Sequence, residues 1–159
     1  MGVPRPPRIA GRARRAPRPL EEAVFLGLLR TADALLREVD QLLEAAELSP
    51  TQYNVLRILR GAAPAGLACR EIGARMLTRD PDITRLLDRL EARGLVTRAR
   101  QRDDRRVVKT RITSKGLRLL KALDKPMSEL HHRQLKHLPA PRLRQLARLL
   151  ERARERMPG

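Results

Sequence analysis

The sequence predicts a mainly α-helical fold with one small β-hairpin, and three observations carry that expectation. Apolar residues recur at helical spacing through most of residues 20–156. Breaks marked by proline and glycine divide this pattern into six helical segments. Only the stretch from Leu95 to Ile112 has the length and β-branched content of two strands with a loop between them.

The 159-residue chain is long enough to bury a core as one domain. Phe25 and Tyr53 are its only large aromatic residues, so that core is aliphatic. The scarcity of rings argues against an RNA-recognition sheet or a single-strand channel, which stack bases on exposed aromatics. A formal net charge of +17 predicts attraction to polyanions such as nucleic acid. A GC-rich codon usage is the plainer cause of the arginine excess itself. A lone cysteine, Cys69, leaves no intrachain disulfide or cysteine zinc site and points to a reducing cytoplasm. No apolar run approaches the roughly 18 residues that span a bilayer, so no membrane partner is expected.

Taken in order, residues 1–19 hold six arginines, five prolines and no acid, a composition expected to remain a disordered basic tail. A solvated tail is the preferred reading, and an arm entering a DNA groove is the alternative. From Leu20 to Glu47, Phe25, Leu28, Ala32, Leu35, Val39 and Leu42 alternate spacings of three and four, giving one stripe suited to packing against another helix. Ser49 reads as an N-cap with Pro50 at the first helical position, and Tyr53, Leu56, Ile58 and Leu59 carry a second helix to about Arg60. A loop leads to a short third helix, Cys69 to Met76. Asp80 and Pro81 read as the cap and first turn of the fourth, whose Ile83, Leu86, Leu87 and Leu90 form a buried stripe. Gly94 ends it in the C′ position. The third and fourth helices make a helix-turn-helix.

Strands at 95–100 and 107–112 follow, joined by the loop 101–106. Thr113 caps a fifth helix, in which Pro126 is expected to kink or split the chain near Lys125. After the Leu138–Pro141 break, a last helix sets Leu143, Leu146, Leu149 and Leu150 on one side and arginines on the other. The whole reads as a winged helix-turn-helix lobe, 48–113, flanked by helical segments 20–47 and 114–156. Those segments carry more apolar surface than one small lobe can cover. A second copy would bury it, with Phe25, Leu28, Leu143, Leu146 and Leu150 as candidate dimer contacts.

Three motifs, LSPTQYNVLRILRG (48–61), ITRLLDRLEARGLVTR (83–98) and DDRRVVKTRITSKGL (103–117), resemble the MarR family of bacterial transcriptional regulators. The likeness extends from about Leu20 to Arg156. It implies a homodimer on a pseudo-palindromic double-stranded DNA operator, usually as a repressor, often released by a small phenolic or lipophilic effector. It also implies that the fourth helix is the recognition helix and the hairpin the wing. The rival from another class is an architectural protein that coats DNA through charge alone.

On the fourth helix the apolar stripe leaves Thr78, Arg79, Asp82, Thr84 and Arg85 outward at the end nearest the groove, and the family motif matches at Thr84 and Arg85. Arg89 and Arg93 lie further along, as phosphate contacts or surface pairs. Asp82 complements the helix dipole in the preferred reading, or accepts from a cytosine amino group in the alternative. Asp88 and Glu91 are expected to pair with arginines three or four residues away. The wing cations are Arg98, Arg100, Arg102, Arg105, Arg106, Lys109 and Arg111. Counting back from Ile112 and Thr113 matches the family wing at Asp104 and Arg106, which implies that the Asp104 carboxylate aims Arg106 at the minor groove. Asp103 is read as an ordinary turn residue.

Cys69 sits at a helix start, a place that favours a reactive thiolate, so a redox switch is the alternative to the preferred small buried hydrophobe. His131, His132 and His137 lack ligand spacing, and no metal site is expected. No activated nucleophile, phosphate loop or hydrolase motif is present. The sequence therefore predicts no enzyme, no catalytic residue and no cofactor.

Overall fold

The computed structural model describes residues 19–77, 82–100 and 107–155. The expected basic tail, all but Pro19, lies outside the described residues, as do Thr78 to Pro81 and the loop 101–106. The chain divides into two compact units, one ending at Asp33 and the other beginning at Ala34. The described part of the first is the N-terminal portion of helix α1 (Leu20–Glu44), on which Leu20, Val24, Phe25, Leu28 and Leu29 are exposed.

The second unit holds the end of α1, then α2 (Pro50–Gly61), β1 (Leu67–Ala68), α3 (Cys69–Arg75), α4 (Ile83–Ala92), β2 (Val96–Arg100), β3 (Val108–Ile112), α5 (Ser114–Leu135) and α6 (Ala140–Glu155). Its core is aliphatic apart from the buried Tyr53, with Leu43, Val55, Leu56, Leu59, Ile72, Leu90 and Leu120 wholly buried.

Helix α1 ends three residues before the expected Glu47. Glu47 takes a left-handed turn at φ 52°, its N–H bonds to Glu44 O at 2.9 Å and that of Leu48 to Leu43 O at 3.2 Å. This is a Schellman closure, and the buried Leu43 and Leu48 form its apolar contact. The same closure ends α4, where Gly94 at φ 67° supplies the left-handed residue and Leu95 N–H bonds to Leu90 O at 3.0 Å. Ser49 forms a reciprocal capping box on α2, accepting from Gln52 N–H at 3.1 Å while Gln52 Oε1 accepts from Ser49 N–H at 3.0 Å. Thr113 caps α5 through Gly116 N–H at 3.1 Å.

Three further expectations are corrected. The sheet has three strands rather than two, in the order β1-β3-β2, all antiparallel, with Leu67 opposite Thr110 and Val96 opposite Ile112. A two-residue strand is too short to show alternation, which is why β1 is invisible to periodicity. Helix α4 starts at Ile83, so its cap is Asp82 rather than Asp80. Helix α5 is not split at Pro126 and continues as helix through it. Leu120, Leu123, Met127 and Leu130 bury one side of it while Pro126 lies on the exposed side. That packing outweighs the roughly 3 kcal/mol cost of an interior proline, and the lost hydrogen bond faces water.

The first turn of α5 lies hard against the sheet. A Cβ on Gly116 would fall 2.5 Å from Leu95 O and 2.7 Å from Ile112 Cγ1. Only glycine permits that approach, and it fixes where the wing strands sit relative to α5.

Candidate nucleic-acid interface

Helices α3 and α4 are placed from behind. Asn54 on α2 accepts the Leu77 N–H at 3.0 Å, pinning the exit of α3. Glu71 accepts the Ala68 N–H at 2.7 Å, closing the start of α3. Leu86, Leu87 and Leu90 then seat α4 in the core, with Ile83 packed against it. The opposite side of α4 presents Thr84, Arg85, Asp88 and Arg89 to solvent. Thr84, Arg85 and Arg89 therefore share one outward face.

Asp82 stands at the start of this helix and makes two contacts to one residue. Its Oδ1 accepts the Arg85 N–H at 3.2 Å, and its Oδ2 lies 3.0 Å from Arg85 Nε. The Arg85 side chain remains 77% exposed. Thr78 and Arg79 lie outside the described residues.

The other end of α4 is bolted to the wing. Arg98 on β2 donates its backbone N–H to Glu91 Oε1 at 2.9 Å and its Nε–H to Glu91 Oε2 at 2.8 Å. Its Nη2 lies 2.6 Å from Glu91 Oε2 and 2.6 Å from Asp88 Oδ1. Hydrogen bonding from Arg98 holds the Glu91 carboxyl below the usual glutamate range, and the same bond raises Arg98. Two readings change as a result. Asp88 and Glu91 pair with Arg98 and not along their own helix: Glu91 has no arginine three or four residues away, and the one such residue for Asp88, Arg85, is held by Asp82. Arg98, expected among the wing cations, is held by two carboxylates and serves to fix the wing to α4.

Arg93 is likewise structural. It donates to Glu47 O and, at 2.9 Å, to Ala46 O, tying the end of α4 to the turn after α1. Lys115 Nζ donates to Arg93 O at 2.8 Å and Thr113 Oγ1 to Gly94 O at 2.8 Å, so α5 holds the same corner. The Arg111 Nε–H goes to Pro64 O at 3.1 Å. Arg100 remains exposed and Lys109 half-exposed on the paired strands. Arg102, Asp104, Arg105 and Arg106 lie outside the described residues, and with them the Asp104–Arg106 pairing.

Sequence reasoning missed the Asp88–Glu91–Arg98 cluster and the Arg93 tie. The signal available was an acid–acid–Arg spacing across a predicted helix-to-strand corner, but partners seven or more residues apart are set by the chain reversal rather than by helix periodicity.

Cys69 opens α3 half-buried and packed against the core, the surroundings of a small hydrophobe. His131, His132 and His137 are exposed, and His131 Nδ1 lies 3.3 Å from Gln134 Oε1. Among the described residues no group of three metal-ligating side chains comes together, and no helix is long and apolar enough to cross a membrane.

Known proteins share this architecture. A model of the MarR family matches residues 48–108. The crystal structure of a MarR transcription factor from Planctomyces limnophilus is 45% identical with a TM-score of 0.66, covering 86% of this chain and 98% of that one. The HTH-type transcriptional regulator TtmR of Methylorubrum extorquens is 36% identical over 78% of this chain, which spans 63% of that regulator's length. The HTH-type transcriptional repressor IacR of Pseudomonas putida is 28% identical over 82% of this chain and 77% of its own. These relatives are regulators of transcription, a non-enzymatic class. On the strength of its helix-turn-helix, its wing and these likenesses, the chain belongs to the MarR family.

Proposed function

We propose that the protein is a homodimeric repressor that binds a pseudo-palindromic double-stranded DNA operator. Residues 48–113 form the DNA-binding lobe, and residues 20–47 and 114–156 join the two copies. The observation that carries this reading is the outward face of α4, where Thr84, Arg85 and Arg89 stand exposed on a helix anchored by Leu86, Leu87 and Leu90. With its side chains an α-helix is about 10–12 Å across, which fits a major groove about 12 Å wide, and the 10 residues of α4 give it about 15 Å of length to lay along the groove. Arg100 and Lys109 suit the adjacent backbone, and the loop bearing Arg102, Asp104, Arg105 and Arg106 is assigned to the minor groove.

Dimerisation is supported by unpartnered apolar surface. Phe25 and Leu28 are exposed on α1, and α6 buries no residue, with Leu146 exposed and Leu143 and Leu150 half-buried. A second copy covers these faces. Release by a small phenolic or lipophilic effector is part of the same reading. The cavity of about 230 Å³ lined by Leu59, Pro64, Ile112, Leu117 and Arg111 is below the roughly 300–1,000 Å³ of most ligand pockets and would admit only a compact molecule.

The test is selection of bound sequences from a random DNA pool by the full chain. The expected product is a palindromic consensus with half-sites about 10 base pairs apart, bound at least about a thousandfold more tightly than random DNA. Affinity should fall steeply with salt as phosphate counterions are released. An unenriched pool with uniform binding would replace this reading with that of an architectural DNA coat.

A further inference from the structure

We infer that Asp82 is a positioning residue that aims Arg85 at a guanine, an inference that rests on the reading of α4 as the base-reading helix. An acid at the end of a helix that approaches DNA should weaken binding by repelling phosphate. As a cap its charge adds only a modest attraction to the helix dipole, because asparagine caps as well as aspartate. The second carboxylate oxygen explains the choice. Oδ1 accepts the Arg85 backbone N–H at 3.2 Å, and Oδ2 lies 3.0 Å from Arg85 Nε.

One carboxylate thus holds both the backbone and the side chain of the same residue, three positions on and on the same helix face. The Arg85 side chain is nevertheless 77% exposed, so most of its guanidinium stays open to a ligand. Engaging Nε leaves the two terminal nitrogens, whose parallel donors match the O6 and N7 acceptors of guanine in the major groove. A long, flexible side chain tethered in this way loses less rotamer freedom when it docks. The arrangement therefore exchanges some general attraction to phosphate for a directed contact to one base.

The variant Asp82→Asn keeps the cap and removes the charge that holds Arg85. Full-length wild type, Asp82→Asn, Arg85→Ala and the double variant are compared on the selected operator and on its single-base variants, with thermal unfolding as the folding control. Asp82→Asn should melt within a few degrees of the wild type and lose about three- to tenfold of its preference for guanine at one position per half-site, a share of what a bidentate arginine supplies. Other positions should be unaffected, and in the Arg85→Ala background Asp82→Asn should change that preference by less than about twofold.

Tighter binding by Asp82→Asn would show that its charge only repels phosphate. Loss of a cytosine preference that persists without Arg85 would make Asp82 itself the base reader. A uniform loss at every position would reduce it to a structural cap. Each of these overturns the inference while wild-type selection upholds the DNA-binding reading; a wild type that selects no sequence overturns both.

Discussion

Replacing Glu91 by glutamine removes one of the two negative charges, the other being Asp88, from the clamp between α4 and β2 while preserving its shape. The Glu91 carboxylate meets three nitrogens of Arg98, at 2.9, 2.8 and 2.6 Å. Hydrogen bonds to charged groups are worth about 1.5–3 kcal/mol when sheltered, but exposed ion pairs contribute about 0–1 kcal/mol. Glu91 and Arg98 retain 37% and 27% side-chain exposure, and the glutamine keeps an acceptor for the Arg98 backbone N–H. The expected loss is therefore about 1 kcal/mol, at the discounted end.

The sign of the pH dependence follows from the direction of the shift. The folded Glu91 carboxyl is held below its ordinary value by hydrogen bonding from Arg98. Its stabilisation is thus fully present above the unfolded value, about 4.3, and disappears as pH falls through the lowered folded value. Glutamine does not titrate. Urea unfolding followed by circular dichroism, at fixed protein concentration, should show wild type more stable at pH 7 by a midpoint shift of about 0.3–1 M. The gap should narrow progressively below about pH 4. An undiminished gap far below that pH would show that charge is not what the clamp contributes, and no gap at pH 7 would remove the clamp altogether.

Two further substitutions probe the frame. Gly116→Ala should destabilise by about 1–2 kcal/mol, because a helix-propensity gain near 1 kcal/mol is outweighed by forcing a Cβ against backbone; the Cβ would sit 2.5 Å from Leu95 O. A higher melting temperature would mean that α5 does not approach the sheet this closely. Pro126→Ala should stabilise by about 1–3 kcal/mol, restoring a donor and removing a ring clash on the exposed side of α5. A lower urea midpoint would show that α5 depends on the proline.

Much of the fold is legible in the chain because its signals are local. Ser49, Thr113 and Gly94 each act on groups within a few residues, so their capping roles survive unchanged in three dimensions. The stripe Ile83, Leu86, Leu87 and Leu90 defines the inner side of α4 through helical period alone, and with it the outer side bearing Thr84, Arg85 and Arg89. Pro126 does not split α5 because the packing of its buried side overrides the local penalty. Asp80 misled because two acids near a helix start are equally good caps on paper.

The sequence by itself determined the order of helices, the hairpin, the outward face of α4 and the family likeness, since periodicity and short-range capping are encoded within one turn or strand. Tertiary structure alone decided which charges are spent on the fold. Arg98 and Arg93 look identical in the sequence to arginines available for DNA, yet one is held by Asp88 and Glu91 and the other by the turn at Ala46 and Glu47. Ion pairs between distant residues depend on where the chain reverses, and no local period carries that information.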